Sequence, residues 1–273
     1  MLQELPKEGI IQLLHIFNAV FRCSYWPEKF KLAQIIMVPK PGKDPTDVTS
    51  YRPISLLSTI SKILEKLLSR HISTEMNPNT WIPEHQFGFR KAHSTIQQCH
   101  RITHTIHTAL EHKQYCTAAF LDVSQAFDKV WHPGLLYKFQ QLLPKSYIPL
   151  LNSYLQNRTY VTKVNTATSS VHPIKSGVPQ GSILGPMLYT IYTLDMPSSR
   201  HKMLSTFADD TAIVAVNRSP NMASQHLQDH LTSVGAWLSK WKVKVNHAKS
   251  KHVTFTNRTE QCPPIFIDQH QIP

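Results

Sequence analysis

Three observations predict a mixed α+β fold. Amphipathic helical stretches and short apolar strands succeed one another irregularly, so the strict βαβ alternation of a doubly wound parallel sheet is missing. At least one strand pair is separated by a tight turn. The chain has 273 residues, 41% of them hydrophobic, which suffices for one large domain or two subdomains and is too apolar for disorder. No internal repeat or low-complexity tract interrupts the pattern.

In chain order, residues 1–20 predict a helix from the spacing of Leu13, Leu14, Phe17, Val20 and Phe21. Residues 32–38 predict an apolar strand. It is followed by a Pro/Gly/Asp loop and a second extended piece, a hairpin with a basic tip. Leu56, Leu57, Ile60, Ile63, Leu64, Leu67 and Leu68 mark an amphipathic helix. MNPNTWIPEHQFGFR reads as a loop. Ser94 and Gln97 have capping-box spacing and open a helix with Ile96, Cys99, Thr103, Ile106 and Leu110 along it. YCTAAFLDV, 115–123, has the composition of a buried strand. One helix is expected from about Pro133, carrying Leu135, Leu136, Phe139, Leu142 and Leu143, then strands at TYVTKVN and VHPIK. SGVPQGSILGP is a Gly/Pro loop entering a helix whose inward face is Ile183, Leu184, Met187, Leu188 and Ile191. A hairpin around Ala208-Asp209-Asp210 follows. Next come a helix with Leu227, Leu231, Val234, Leu238 and Trp241 and a strand pair, VKVN and KHVTFT.

Lys and Arg total 29 against 17 Asp and Glu, a net charge of +12. That excess suits a polyanionic partner such as nucleic acid, although a soluble basic protein carries the same excess. The four cysteines, Cys23, Cys99, Cys116 and Cys262, form no C-x-x-C pair and read as free thiols. No apolar run approaches the roughly 20 residues of a membrane span. The opening MLQELPKEGI lacks the basic and apolar regions of a secretory signal. A cytoplasmic or nuclear location without a membrane is expected.

The few acids carry the most information. Asp122 ends the buried strand, and Asp209 and Asp210 sit at the hairpin tip. If these elements neighbour each other in one sheet, three carboxylates converge at its edge. Such a group repels itself unless cations neutralise it. Hard oxygen ligands suit Mg²⁺, and two ions about 3.5–4 Å apart can clamp an in-line phosphoryl transfer. Adjacent strand residues alternate in direction, so Asp209 is expected to be the fuller ligand and Asp210 the partial one. Aspartates are also ordinary turn residues, and the residues alone leave both readings open. His100, His104 and His107 share one helix face, a spacing compatible with zinc, but no evident fourth ligand completes a site. A solvent- or template-facing histidine stripe is the simpler expectation.

FLDVSQAFDKVWH, SGVPQGSILGP and FADD, in that order, resemble the three central motifs of reverse transcriptases. KLAQIIMVPKPGKDPTDVTSYRPISLLSTISKILEKLLSRHI and HQFGFRKAHST resemble the finger motifs of the non-LTR retrotransposon branch, jockey-like elements in particular. WLSKWKVKVNHAKSKHVTF resembles the segment after the catalytic hairpin. Phe207-Ala208 stand where many members have Tyr-Ala, keeping the ring and losing a hydroxyl.

The resemblance implies a right-hand polymerase of α+β class with fingers and palm, an antiparallel palm sheet packed on helices, and no thumb. It implies a helical lead-in at 1–22 and a reverse transcriptase domain at 23–273. The fingers would span about 23–114 and the palm about 115–273, with part of the fingers inserted at about 133–175. Asp122, Asp209 and Asp210 match the catalytic metal ligands, and Val123 would add its backbone carbonyl. Phe127 matches the aromatic side chain beneath the incoming sugar, which would exclude a 2′-hydroxyl; Asp128 beside it reads as structural. Gln180 and Gly181 match the loop against nucleotide and template. Lys40 and Arg52 resemble a triphosphate clamp, which Lys43 would share. Arg90 reads as support for the fingers, and Lys249 matches a lysine near the pyrophosphate.

The implied activity is RNA-directed DNA synthesis with two Mg²⁺ ions, an RNA template, a DNA or RNA primer and dNTPs. The alternatives are a truncated nucleic-acid-binding remnant without activity and, more remotely, an RNA-templated RNA polymerase. No oligomeric state is implied.

Overall fold

The computed structural model describes residues 4–76, 81–199 and 202–273. In chain order the elements begin with helix α1 (Lys7–Cys23), strands β1 (Leu32–Pro39) and β2 (Tyr51–Leu56), helices α2 (Thr59–Glu75) and α3 (Thr95–Glu111), and strand β3 (Tyr115–Leu121). Helices α4 (His132–Leu142) and α5 (Ile148–Leu155) follow, then strands β4 (Thr159–Val164), β5 (Ala167–Thr168) and β6 (His172–Pro173), and helix α6 (Leu184–Thr193). The remainder is the hairpin β7 (Lys202–Phe207) and β8 (Asp210–Asn217), helix α7 (Pro220–Lys240), strand β9 (Lys251–Phe255), and the short hairpin β10 (Phe266–Ile267) and β11 (His270–Gln271). The chain forms two compact units, Met1–Asn77 with His132–Leu188, and Pro78–Trp131 with Tyr189–Pro273.

The first unit carries a mixed sheet in the order β2-β1-β4-β5, with β6 also on β4. β1 and β2 are the expected antiparallel hairpin, and β1 pairs with β4 in parallel. Helix α2 buries Leu64, Leu68 and Ile72, as its apolar spacing requires, and starts later than expected, where the Ser58 hydroxyl accepts from the Ser61 N–H. The helical stretch expected from about Pro133 is α4, and a second helix, α5, follows it. Pro144 cannot continue α4, a 3₁₀ turn at Lys145–Tyr147 intervenes, and α5 restarts with a proline in its first turn. Ile183 is exposed, contrary to the inward position expected of it, because it precedes the helix whose Leu184, Leu188 and Ile191 are buried.

The second unit is built on an antiparallel sheet, order β7-β8-β3-β9. Side chains alternate across it. Cys116, Ala118 and Val214 face one way and pack with Ala109, Ile102 and Ile106 of α3. Tyr115 lies in a separate cluster with Ala223 of α7. The capping box at Ser94 and Gln97 forms as expected. VKVN does not pair with KHVTFT. Only Val245 makes an isolated bridge, to Val123, and β9 pairs with β3 instead. The sheet edge offered by β3 is a longer antiparallel partner than a four-residue segment with an intervening tight turn. The 77–80 part of the long expected loop lies outside the described residues.

Burial of histidine side chains is expected to make this unit acid-sensitive. Burial pushes the His85 imidazole down from 6.5 to about 4, with Arg101 and His230 adding to the shift. The unfolded chain therefore binds more protons between those two values, and the stability held above pH 6.5 is lost as pH falls towards 4. The loss is expected to be about 2–3 kcal/mol. Urea midpoints at pH 7 and pH 4.5 should show it, and His85→Gln should shrink the difference. The Gln98 and Thr206 bonds to this residue go to its backbone carbonyl and survive that change.

Candidate active site

The strand register explains why Asp122 and Asp210 belong together. Leu121 pairs with Thr211 and Phe120 with Ala212 across β3 and β8. Asp122 and Asp210 are the next position along this ladder, on two neighbouring strands at the same sheet end. By alternation both follow the face that carries Phe120 and Ala212, the face towards α3. A cleft of about 270 Å³ opens there, lined by Ile102, Phe120, Phe207 and Asp210 among others. Asp209 occupies the two-residue turn between Phe207 and Asp210, which pair with each other. Desolvation raises the Asp210 carboxyl above the usual carboxylate range, and the charges of Asp209 and Asp122 push it further.

The backbone of Asp122 is anchored on both sides. Its N–H donates to the Ser250 hydroxyl at 3.1 Å, and its carbonyl accepts from the Asn246 N–H at 2.8 Å. Ser250 is fully buried and donates to the Asn246 carbonyl. The Ser124 N–H donates to the Lys244 carbonyl at 2.8 Å. These bonds flank Val123 and leave its own carbonyl out of the pairing with Val245. Lys249 is exposed in the same Asn246–Ser250 turn.

The hairpin turn is held by Gln86, in the HQFGFR stretch that the sequence marks as loop and, by resemblance, as a finger motif. Gln86 forms a parallel bridge with Thr206 of β7, the Phe87 N–H donates to the Thr206 carbonyl and the Thr206 N–H to the His85 carbonyl. The Gln86 amide oxygen accepts from the N–H groups of Gly88 (2.7 Å) and Ala208 (3.1 Å), and its NH₂ donates to the Ala208 carbonyl at 3.3 Å. Ala208 has φ 56°, a left-handed conformation uncommon for a residue with a Cβ. A Cβ at Gly88 would run into the Ala208 backbone nitrogen, so only glycine fits there.

Phe127 stands in an aromatic group. Its ring stacks on Tyr189 with centroids 4.7 Å apart and 16° between planes, and meets the Phe89 ring edge-on at 6.0 Å. Tyr189 is buried, and burial together with the charges of Asp209, Tyr192 and Asp210 raises its hydroxyl. The Asp128 N–H closes a turn onto the Gln125 carbonyl. The Arg90 Nε is buried without a hydrogen-bond partner among the described residues.

Lys40, Arg52, Gln180 and Gly181 belong to the first unit. Arg52 pairs with Val38 in the β1–β2 hairpin, and the Lys40 ammonium folds back to donate to the Thr49 carbonyl at 2.7 Å. Lys43 lies in the exposed hairpin tip. The Gln180 carbonyl accepts from the Ser55 N–H at 2.7 Å, tying the loop to β2. Gly181 has φ 105°, and a Cβ on it would lie 2.8 Å from the Ser55 carbonyl oxygen. The close approach that demands glycine is therefore to β2. Glu65, absent from the sequence-based candidates, is fully buried beside this loop. It accepts from the Ile183 N–H at 2.7 Å and the Leu184 N–H at 3.4 Å, capping α6, and from the Tyr154 hydroxyl at 3.0 Å. Burial, the largest influence, raises its carboxyl, against those hydrogen bonds and the nearby Arg158.

Three carboxylates and a backbone carbonyl outside the local pairing are a hard-oxygen donor set, and a divalent cation would relieve the repulsion from Asp209 and Asp122 that adds to desolvation in raising Asp210. Among the described residues no group of three or more His, Cys, Asp or Glu side chains is tight enough to hold an ion unaided. The three carboxylates are thus not gathered into an ion-holding group by themselves. Mg²⁺ commonly takes one or two carboxylates plus substrate phosphates, so the donor set fits it. His100, His104 and His107 are exposed along α3, with His107 3.4 Å from Glu111.

The family model for reverse transcriptase (RNA-dependent DNA polymerase) matches residues 38–271. The chain belongs to the reverse transcriptase family. It is 42% identical over 277 residues to the probable RNA-directed DNA polymerase from transposon X-element of Drosophila melanogaster, covering 100% of this chain and 30% of that protein. It is also 42% identical over 272 residues to the RNA-directed DNA polymerase from mobile element jockey of the same species, covering 97% of this chain and 30% of that protein. The jockey-like resemblance read from the motifs is borne out. This reverse transcriptase chain spans about three tenths of the length of those relatives. Among solved structures it resembles telomerase from Candida albicans bound to a TWJ fragment of telomeric RNA. That match has TM-score 0.59 and 15% identity, over 97% of this chain and 48% of that one. It also resembles apo telomerase from Candida tropicalis, with TM-score 0.57 and 13% identity, over 92% of this chain and 56% of that one. These likenesses establish the fold, α+β, as expected, with an antiparallel sheet in the second unit. Membership of the family implies dependence on a divalent metal. No helix among the described residues is long and apolar enough to cross a membrane.

Proposed function

We propose that this chain is the fingers-and-palm portion of an RNA-directed DNA polymerase of a non-LTR retroelement, adding dNTPs to a primer 3′-hydroxyl on an RNA template. The observation that supports this reading is the β3–β8 register, whose last pair, Leu121 with Thr211, is followed by Asp122 on one strand end and preceded by Asp210 on the other, with Asp209 in the adjoining turn. Asp122, Asp209, Asp210 and the Val123 carbonyl would hold two Mg²⁺ ions. When bound, these ions lower the pKa of the primer hydroxyl and neutralise charge on the triphosphate. Lys40 and Arg52 would grip phosphate oxygens, Arg52 bidentately. Gln180 would hydrogen-bond at the nucleotide, held by its backbone bond to β2. The protein's part is then positioning and electrostatics. The net charge of +12 supports an RNA template and a DNA or RNA primer as partners.

The test is primer extension on an RNA template with Mg²⁺ and dNTPs. Template-directed incorporation supports the reading. Salt-dependent RNA binding with no incorporation would favour an inactive binding remnant instead.

Phe127 is the proposed sugar discriminator. Its ring is backed by Tyr189 and cannot easily retreat from a 2′-hydroxyl. Phe127→Ala is expected to lower the preference for dNTP over rNTP by at least about ten-fold, roughly 1.4 kcal/mol. The ratio of kcat/KM for the two nucleotides measures it, and an unchanged ratio would leave the ring with a packing role only.

A further inference from the structure

A strained residue persists only where its surroundings over-determine it. Ala208 is such a residue: it takes a left-handed φ of 56° immediately before Asp209. Its N–H and its carbonyl are both bonded to one side chain, Gln86. That side chain is 4% exposed and lies 122 residues away in sequence. Its oxygen also accepts from the Gly88 N–H, so the amide cannot rotate without breaking a second bond. The backbone on either side is stitched to β7 through His85, Phe87 and Thr206, and the Gln98 amide donates to both the His85 and Thr206 carbonyls. Gly88 lets the two backbones come this close.

We infer that Gln86 is a positioning residue for the polymerase: its amide brackets the Ala208 peptide and so sets the direction in which Asp209 leaves the hairpin turn. A carboxamide suits this task because it offers a donor and an acceptor on one planar group, matching the N–H and C=O of a single residue. Glutamate would keep the acceptor, lose the donor and add a like charge near Asp209 and Asp210. Leucine would keep the volume and lose both bonds. The inference rests on the polymerase reading for its kinetic consequence and on geometry alone for its structural one.

Two measurements on the full chain test it, with wild type and Asp209→Ala alongside. The first is amide hydrogen exchange. In Gln86→Leu, protection at Ala208 and Gly88, whose N–H groups Gln86 accepts from, is expected to fall at least about ten-fold, while protection at Ile213 and Val214 in β8 stays as in wild type. Unchanged protection at Ala208, or an equal loss across the whole sheet, would overturn the inference, and this readout needs no activity. The second is single-nucleotide incorporation. Gln86→Leu and Gln86→Glu are expected to lower kcat by on the order of 10–100-fold, with KM for dNTP changed less than about three-fold. A higher KM at constant kcat would also overturn it. An inactive wild type, or an active Asp209→Ala, would instead refute the polymerase reading and leave the exchange result to decide the role of Gln86.

Discussion

Asp209→Ala is expected to reduce nucleotide incorporation by at least about 10³-fold, roughly 4 kcal/mol of transition-state stabilisation. Its carboxylate projects from the hairpin turn beside Asp210, whose own charge is already disfavoured by desolvation and by Asp209 and Asp122. Folding should not suffer. Removing one of three mutually repelling carboxylates lets the Asp210 carboxyl move back towards its ordinary range, so the melting temperature should hold steady or rise slightly. Loss of activity with unimpaired folding separates a chemical role from a structural one. Primer extension and a thermal melt on the same samples measure both, and retained incorporation would remove Asp209 from the site. Asp122→Asn should behave alike.

Glu65→Ala is expected to cost about 3–5 kcal/mol of stability. The truncation removes the acceptor from the buried Tyr154 hydroxyl and Leu184 N–H and from the partly buried Ile183 N–H. It also removes a carboxylate that feels the charge of Arg158, which is 1% exposed and whose Nε and Nη2 have no hydrogen-bond partner among the described residues. Such a loss should lower the unfolding midpoint by roughly 10 °C. Glu65→Gln tests the charge separately. The raised carboxyl means that ionising Glu65 is disfavoured by its burial, so an isosteric neutral amide should cost clearly less than alanine. Equal melting of Glu65→Ala and wild type would show that the cap carries no weight.

How much of this was legible beforehand depends on the range over which each residue acts. Asp122, Asp209 and Asp210 stood out because a strand end and a hairpin tip are local signals, but alternation alone did not say which of the pair aims with Asp122: Asp209 was expected there, and the β3–β8 register puts Asp210 on that face instead. The capping box at Ser94 likewise needed only four residues. Tyr189 was visible only as part of an apolar helix, since nothing local says that its ring lies under Phe127. Ser250 holds the Asp122 N–H across 128 residues, and Glu65 reaches the Ile183 N–H across 118. No window of sequence contains both ends of such a bond. The same limit explains β9, where VKVN and KHVTFT look like a hairpin yet β3 takes the second strand.

By itself, then, the sequence determined most of the helices and strands, through side-chain periodicity and turn chemistry, and its ordered motifs carried the resemblance that marked the family. Only the tertiary structure decided how those residues are aimed. The direction of Asp209 depends on the peptide before it, that peptide is gripped by Gln86, and the anchoring of Asp122 depends on Ser250. Hydrogen bonds are directional and act over about 3 Å, so distant partners can specify orientation only after the chain has folded to bring them together.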